Sequence, residues 1–262
     1  MTLLQVERLR KTYLGVKALD DVSFTVATGE IAGLIGPNGS GKSTTIDCLS
    51  GFQRADGGRW HLGGIELTGR APYAIARRGL TRTFQAVRCY DALSLIDNLT
   101  CATEARHAVG WRDAFFATAK LRAHEAAART RAVELLDLVG LARYAEAPAG
   151  ILSYGQRKLL ALAGALMTEP KIILLDEPVA GVNPTMIRLI EQAIGRINQA
   201  GIALLIVEHN VEFIMALCRR VIVLDAGRKL AEGPPAIIRD DPRVLEAYMG
   251  GAPDDIGAEA RA

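Results

Sequence analysis

Gly36-Pro37-Asn38-Gly39-Ser40-Gly41-Lys42-Ser43-Thr44 is the stretch on which the reading of this chain turns. A glycine followed, after four residues, by Gly-Lys-Ser is the pattern of a phosphate-binding loop. Its flanks agree with that reading. Ile31-Ala32-Gly33-Leu34-Ile35 is an apolar run of the length of a buried parallel strand, and Ile46 and Leu49 behind the loop keep helical spacing. Strand, loop and helix in that order turn backbone N–H groups inward and aim the positive end of the new helix at the same point. The expected occupant is a polyphosphate, held by Gly36, Asn38, Gly39, Ser40, Gly41, Lys42, Ser43 and Thr44. Lys42 would reach the terminal phosphates as a point charge, and the Ser43 hydroxyl would complete the shell of an accompanying Mg²⁺.

Composition narrows the company this loop keeps. Of 262 residues, 31 are basic and 29 acidic, so the formal net charge of +2 gives no basic excess of the kind that coats nucleic acid. Half the residues are hydrophobic, yet no run approaches the ~20 apolar residues that cross a bilayer. Glu7, Arg8, Arg10 and Lys11 interrupt the amino-terminal stretch where a signal peptide needs an apolar core, which points to a cytoplasmic chain. Cys48, Cys89, Cys101 and Cys218 form no Cys-x-x-Cys pair and have no clustered histidines. They read as reduced, mostly buried thiols.

Working outward, Val22, Phe24 and Val26 alternate with Ser23 and Thr25, the period of a strand with one buried face in a small antiparallel sheet. Tyr13, just ahead, is either a flat platform for a base or a half-exposed surface tyrosine. Trp60 to Leu67 around Gly63-Gly64 predicts a hairpin, and Pro72 opens a short helix that Gly79 closes. From Ala86 to Gly150 the composition turns to Ala, Leu, Arg and Glu, and helices are expected over 97–109 and 112–139. Leu135, Leu138 and Val139 give them an apolar stripe; Arg122, Glu125, Arg129 and Arg131 give a solvated face. No heptad is sustained, so a coiled coil is rejected. The sheet resumes with Ile172 to Leu175 and Ile202 to Val207, separated by a helix begun at Pro184 and ended at Gly201. Val221 to Leu224 and Lys229 to Ala231 flank a turn, Pro234 and Pro235 break the pattern, and 243–248 forms a last short helix. Gly251 to Ala262 offers nothing to bury and is expected to be disordered.

A phosphate loop needs a carboxylate to partner its metal. Asp176 follows the Ile172 to Leu175 strand, at the strand end where open α/β sheets place ligands, and is the expected Mg²⁺ partner alongside Ser43. Glu177, next in line, is placed to orient a water beyond the γ-phosphate and accept its proton.

With Leu152-Ser153-Tyr154-Gly155-Gln156 ahead of Asp176-Glu177, the chain resembles the ATPases of ABC transporters over nearly its whole length. The resemblance implies a P-loop NTPase (RecA-like) α/β core with an amino-terminal antiparallel β-subdomain and an inserted α-helical subdomain. Residues 1–85 and 156–233 then form the core, 86–155 the helical lobe, 234–250 a carboxyl-terminal extension and 251–262 a tail. It also implies that two such subunits face head to tail, the Ser153, Gly155 and Gln156 segment of one closing over ATP held by the other. A helix from Gln156 to Met167 would present its positive end there, with Arg157 and Lys158 adding charge. Tyr154 stands where the family usually has glycine, and Asn183 where it usually has aspartate.

By the same resemblance Tyr13 stacks on adenine, Gln85 touches the metal and the attacking water, and His209 contacts the γ-phosphate. The implied cofactors are ATP and Mg²⁺. Arg82-Thr83-Phe84-Gln85, Ala180-Gly181-Val182-Asn183-Pro184 and Glu246-Ala247-Tyr248-Met249-Gly250 look most like the ATPases of branched-chain amino acid importers. That implies transmembrane permease subunits docked near 85–100, a second identical or different ATPase subunit, an indirect tie to a solute-binding protein, and a place on the cytoplasmic face of the membrane. Relatives serving urea, short amides or other small polar solutes look similar, and a soluble ABC protein acting on DNA or ribosomes, or a nucleotide sensor without turnover, are the rival readings. The first rival needs a coiled-coil insertion or a second ATPase domain, and the second is opposed by the presence of Glu177 and His209.

Overall fold

The computed structural model describes residues 1–86, 88–104 and 119–249. The helices expected over 97–109 and 112–139 are therefore described only in part, and the tail 251–262 lies outside the described residues. Two sheets organise the rest. The smaller is antiparallel, in the order β2 (Val16–Ala27), β1 (Thr2–Tyr13), β4 (Gly57–Leu62), β5 (Ile65–Glu66). The larger runs β10 (Arg228–Gly233), β9 (Arg220–Asp225), β3 (Ile31–Ile35), β8 (Ala203–Val207), β7 (Ile172–Asp176), β6 (Leu80–Arg82), parallel from β9 to β6 with β10 antiparallel at one edge.

The continuous apolar runs have a geometric reason. Successive side chains of a strand point to opposite faces. Ile172 and Leu174 of β7 enter a core shared with Leu4, Val6, Phe24 and Trp60 of the small sheet, whereas Ile173 and Leu175 enter a second core against helices. Both faces are covered, so the run from Ile172 to Leu175 is apolar throughout. On the first side lie α1 (Lys42–Leu49), with Ile46 and Leu49 buried, and α2 (Pro72–Ala76).

On the second side lie the described helices of the inserted stretch, α3 (Leu95–Glu104) and α4 (Ala119–Leu138), then α5 (Tyr154–Leu166) and α6 (Pro184–Gln199). Leu135 and Val139 are buried as their spacing predicts, joined by Leu136. Arg122, Glu125, Arg129 and Arg131 are exposed, and Arg129 pairs with Asp97 and Glu146. After β8 come α7 (Val211–Leu217), the β9–β10 hairpin, α8 (Pro235–Arg239) and α9 (Pro242–Met249). Pro234 and Pro235 end the strand pattern as the sequence predicts, and Pro235 also occupies the first turn of α8, a helix the sequence reading does not include, where its missing N–H costs nothing.

Among the described residues no helix is long and apolar enough to cross a membrane. All four cysteines are free; Cys48 and Cys218 are buried, Cys89 is half-buried and Cys101 exposed, so the thiols are less uniformly buried than expected. Burial pushes the Cys48 thiol up to about 11 and the Cys218 thiol up to about 12.

Candidate active site

The loop between β3 and α1 is held in a shape that side chains would forbid. Gly36 has φ 150° and a Cβ there would lie 2.1 Å from the Leu224 carbonyl oxygen; Gly41 has φ 101° and a Cβ would lie 2.5 Å from the Ala18 carbonyl oxygen. Lys42 is buried, and its Nζ donates to the carbonyls of Gly36 at 2.8 Å and Pro37 at 2.9 Å, with Ser40 Oγ at 3.4 Å. Its ammonium is thus folded over the loop it would serve. Burial pulls the Lys42 pKa down, and the Glu177 carboxylate opposes that. Ser40 is buried, whereas Asn38, Gly39 and Ser43 face outward and Thr44 is half-buried. Tyr13, 38% exposed at the end of β1, lies close enough to Thr44, Asp47 and Cys48 of α1 for them to bias its phenol, and Lys11 Nζ sits 5.2 Å from its ring centroid. An exposed aromatic face beside the loop is what a stacking platform requires.

At the carboxyl end of β7 three residues distant in sequence meet. Gln85 Nε2 donates to Glu177 Oε2 at 2.6 Å, and His209 Nε2 lies 3.1 Å from Glu177 Oε1. Glu177 itself has φ 49°, a left-handed backbone rare for a side chain of its kind. That turn is secured on both sides, since its N–H donates to the Val207 carbonyl at 2.9 Å and its carbonyl accepts from Lys158 Nζ at 2.6 Å. His209 is placed by Glu208, a buried carboxylate that accepts from the N–H groups of His209 and Asn210 with one oxygen and of Val179 with the other. Glu208 was missed in the sequence, although a charge directly after a buried strand is the signal that marks it.

Asp176 is engaged by Arg82, whose Nη2 donates to Oδ2 at 2.8 Å; no described residue takes Oδ1. A hydroxyl at Ser43, a carboxylate at Asp176 and an amide at Gln85 are hard oxygen donors, the chemistry that suits Mg²⁺. Among the described residues no cluster of His, Cys, Asp and Glu suits another metal.

The second set of candidates sits elsewhere. Ser153 is the N-cap of α5 and forms a capping box with Gln156: Gln156 N donates to Ser153 Oγ at 3.3 Å, and Ser153 N donates to Gln156 Oε1 at 2.9 Å. The helix therefore starts at Tyr154 rather than Gln156, because the cap satisfies the first free N–H groups. Gly155 is buried, and a Cβ on it would lie 2.2 Å from Met186 Cγ. Arg157 and Lys158 do not add charge to this surface as expected. Arg157 is spent on Asp91 at 2.7 Å and on nearby carbonyls, and Lys158 is buried beneath the Tyr154 ring with its pKa lowered by desolvation. Among the described residues no hydrogen bond joins Ser153, Gly155 or Gln156 to the loop from Gly36 to Thr44. Asn183 caps α6 by accepting from Met186 N at 2.9 Å.

Between β6 and the helices opens a cleft of about 780 Å³, lined by Phe52, Arg82, Phe84, Gln85, Asn98 and Arg157 among others. Phe52 and Phe84 stand edge to face there, 5.4 Å apart and half exposed.

The chain is similar to known proteins over most of its length. The family model described as ABC transporter matches residues 19–180, and that described as Branched-chain amino acid ATP-binding cassette transporter matches residues 228–254. The chain is 35% identical over 251 residues to the high-affinity branched-chain amino acid transport ATP-binding protein BraF of Pseudomonas aeruginosa, covering 95% of this chain and 98% of that protein. It is 36% identical over 251 residues, with the same coverage, to LivG of Escherichia coli, and 34% identical over 258 residues to a probable LivG of Archaeoglobus fulgidus, covering 98% of each. Among solved structures it is similar to an ATP-binding cassette of an ABC transporter in its ADP conformation, with 32% identity and a TM-score of 0.83. A nucleotide-free cassette gives 32% identity and a TM-score of 0.82; each alignment covers 95% of this chain and 99% of the other.

Proposed function

The chain belongs to the ABC transporter ATPases, and from that premise we infer that it is the ATP-binding and ATP-hydrolysing subunit of a branched-chain amino acid importer. The observation that carries the chemistry is the meeting of Gln85, Glu177 and His209 at the end of β7, beside a loop built to hold a triphosphate. ATP lies with its phosphates along Gly36 to Thr44 and its base on Tyr13. Lys42 leaves the Gly36 and Pro37 carbonyls to take the β- and γ-phosphates, a charge-assisted exchange. Ser43, Asp176 and Gln85 would hold Mg²⁺, which would supply positive charge to offset that of the phosphate oxygens. A water oriented by Glu177 attacks the γ-phosphorus in line. The water's proton passes to the carboxylate, the bond between phosphorus and the β–γ bridging oxygen breaks, and ADP and phosphate result. His209, fixed by Glu208, steadies the γ-phosphate and Glu177 together.

Closure of the site needs a second subunit. The exposed Ser153 hydroxyl and the N-terminus of α5 face solvent in the single chain and suit a phosphate presented from outside. Two subunits, identical or different, therefore enclose two ATP molecules head to tail, and the cleft beside Phe52 and Phe84 receives a cytoplasmic segment of the permease. That arrangement places the chain at the cytoplasmic face of the membrane, with a solute-binding protein acting through the permease. The test is to copurify chain and permease, reconstitute them in lipid with the binding protein, and measure phosphate release. Leucine, isoleucine or valine should stimulate hydrolysis. Stimulation by urea or a short amide alone would reassign the cargo, and no stimulation by any solute would refute the transport role.

A further inference from the structure

Arg82 lies where three features of the molecule meet. Pairing of β6 with β7 sets Arg82 beside Leu174, two residues before Asp176, so both side chains emerge from the same face of the sheet. The guanidinium donates from Nη1 to Asp47 Oδ1 at 2.5 Å and to Ser50 Oγ at 3.2 Å, both on or next to α1, and from Nη2 to Asp176 Oδ2 at 2.8 Å. Its side chain is 10% exposed and that of Asp176 12%. Among the described residues its Nε, which is buried, has no acceptor. What covers it instead are two rings: Arg82 Cζ is 5.8 Å from the centroid of Phe52 and 5.1 Å from that of Phe84. Those rings form part of the cleft wall, so whatever fills the cleft meets them first and the guanidinium behind them.

We propose that Arg82 is a positioning residue that competes with the divalent metal for the Asp176 carboxylate, and that the Phe52–Phe84 pair makes this competition responsive to the occupant of the cleft. A guanidinium on Oδ2 draws charge away from Oδ1 and adds a positive charge near a cation's place, and both effects weaken metal binding. The cation–π contacts hold the guanidinium against the carboxylates. An occupant that displaces the rings releases Arg82 from Asp176, and the freed carboxylate holds the metal more tightly. Occupancy of the cleft is thereby converted into metal affinity at the phosphate loop by a route separate from Gln85. This inference rests on the preceding assignments of Asp176 to the metal and of the cleft to a permease segment.

The experiment needs only the isolated full chain loaded with ADP, with Mn²⁺ as the probe and its free concentration read by electron paramagnetic resonance. Arg82→Met should tighten Mn²⁺ binding about threefold or more, and Arg82→Lys, which retains the charge, should stay within about twofold of the parent. Unchanged or weaker binding in Arg82→Met would overturn the competition. Asp176→Asn separates this from failure of the underlying assignment: if it leaves Mn²⁺ affinity unchanged, Asp176 does not serve the metal at all. The double substitution Phe52→Leu with Phe84→Leu tests the cleft, and remains informative should Arg82→Met fold poorly. It should tighten Mn²⁺ binding in the same direction by about twofold, and parental affinity would overturn the part assigned to the rings.

Discussion

In the proposed mechanism the phosphate loop and the N-terminus of α5 supply the two halves of the nucleotide site, and they are built by opposite means. The loop from Gly36 to Thr44 is anchored in the parallel sheet, with glycines wedged against the carbonyls of Leu224 and Ala18 and a buried lysine folded across it. Nothing there awaits assembly except the ligand. Ser153 and Gln156, by contrast, spend their polar groups on each other in a capping box, and Ser153 is exposed. The first half is formed by one continuous stretch of the chain; the second is a finished helix end that, among the described residues, makes no hydrogen bond to the phosphate loop. Affinity for nucleotide should therefore reside in the first region, and turnover should need both.

The largest effect expected inside the first region concerns chemistry rather than binding. Glu177→Gln preserves the shape and can still meet Gln85 and His209, but it removes the proton acceptor. Phosphate release should fall about 10²-fold or more while ATP affinity is retained. A single-turnover assay alongside an equilibrium titration checks both statements, and near-normal turnover would remove Glu177 from that role. Next in size, Lys42→Ala deletes charge-assisted contacts worth about 1.5–3 kcal/mol, so ATP affinity of the isolated chain should fall about ten- to hundredfold. Equal affinity in a calorimetric titration would contradict the cradle itself.

The contrast also explains what could be read from the sequence. The phosphate loop and strands β3, β7 and β8 were legible because burial on both faces leaves an unbroken apolar signature, and the glycines of the loop have fixed spacing. β6 was not, since three residues at a sheet edge carry no period, and Arg82 was therefore seen only as part of a motif. The meeting of Gln85, Glu177 and His209 is a product of sheet order, which places β6, β7 and β8 side by side; no local pattern encodes it. Arg157 and Lys158 were misread because charge near a helix start suggests a ligand, while burial and internal partners are invisible until the fold is built. α8 was not legible either, because five residues that begin at the second of two prolines carry no helical period.

A substitution in the second region should behave differently from one at Lys42. Asp is as good an N-cap as Ser, so Ser153→Asp should leave thermal stability and ADP affinity of the isolated chain unchanged. In the assembled transporter it sets a carboxylate against the partner's γ-phosphate, and turnover should drop by about tenfold, the scale of a single lost hydrogen bond of ~1.4 kcal/mol. Weakened ADP binding by the isolated chain would show that α5 already serves the nucleotide of its own chain, and the division of labour would collapse.

The smallest effect tests the packing behind the start of α5. Asn183 caps α6, whose Met186 fills the space against Gly155 at the start of α5, so one cap supports the packing behind the other helix end. Asn183→Ala removes the acceptor for Met186 N and should cost about 1 kcal/mol, which lowers the melting temperature by about 2–4 °C in a chain of this size. Asn183→Asp keeps the acceptor and adds negative charge at a helix N-terminus, a favourable placement worth about 0.3–1 kcal/mol. It should melt at or slightly above the parent temperature. If Asn183→Ala melts with the parent yet slows the assembled transporter, the side chain acts across the subunit interface rather than as a cap. If both variants lose stability equally, the amide N–H₂ rather than the oxygen is what this turn requires.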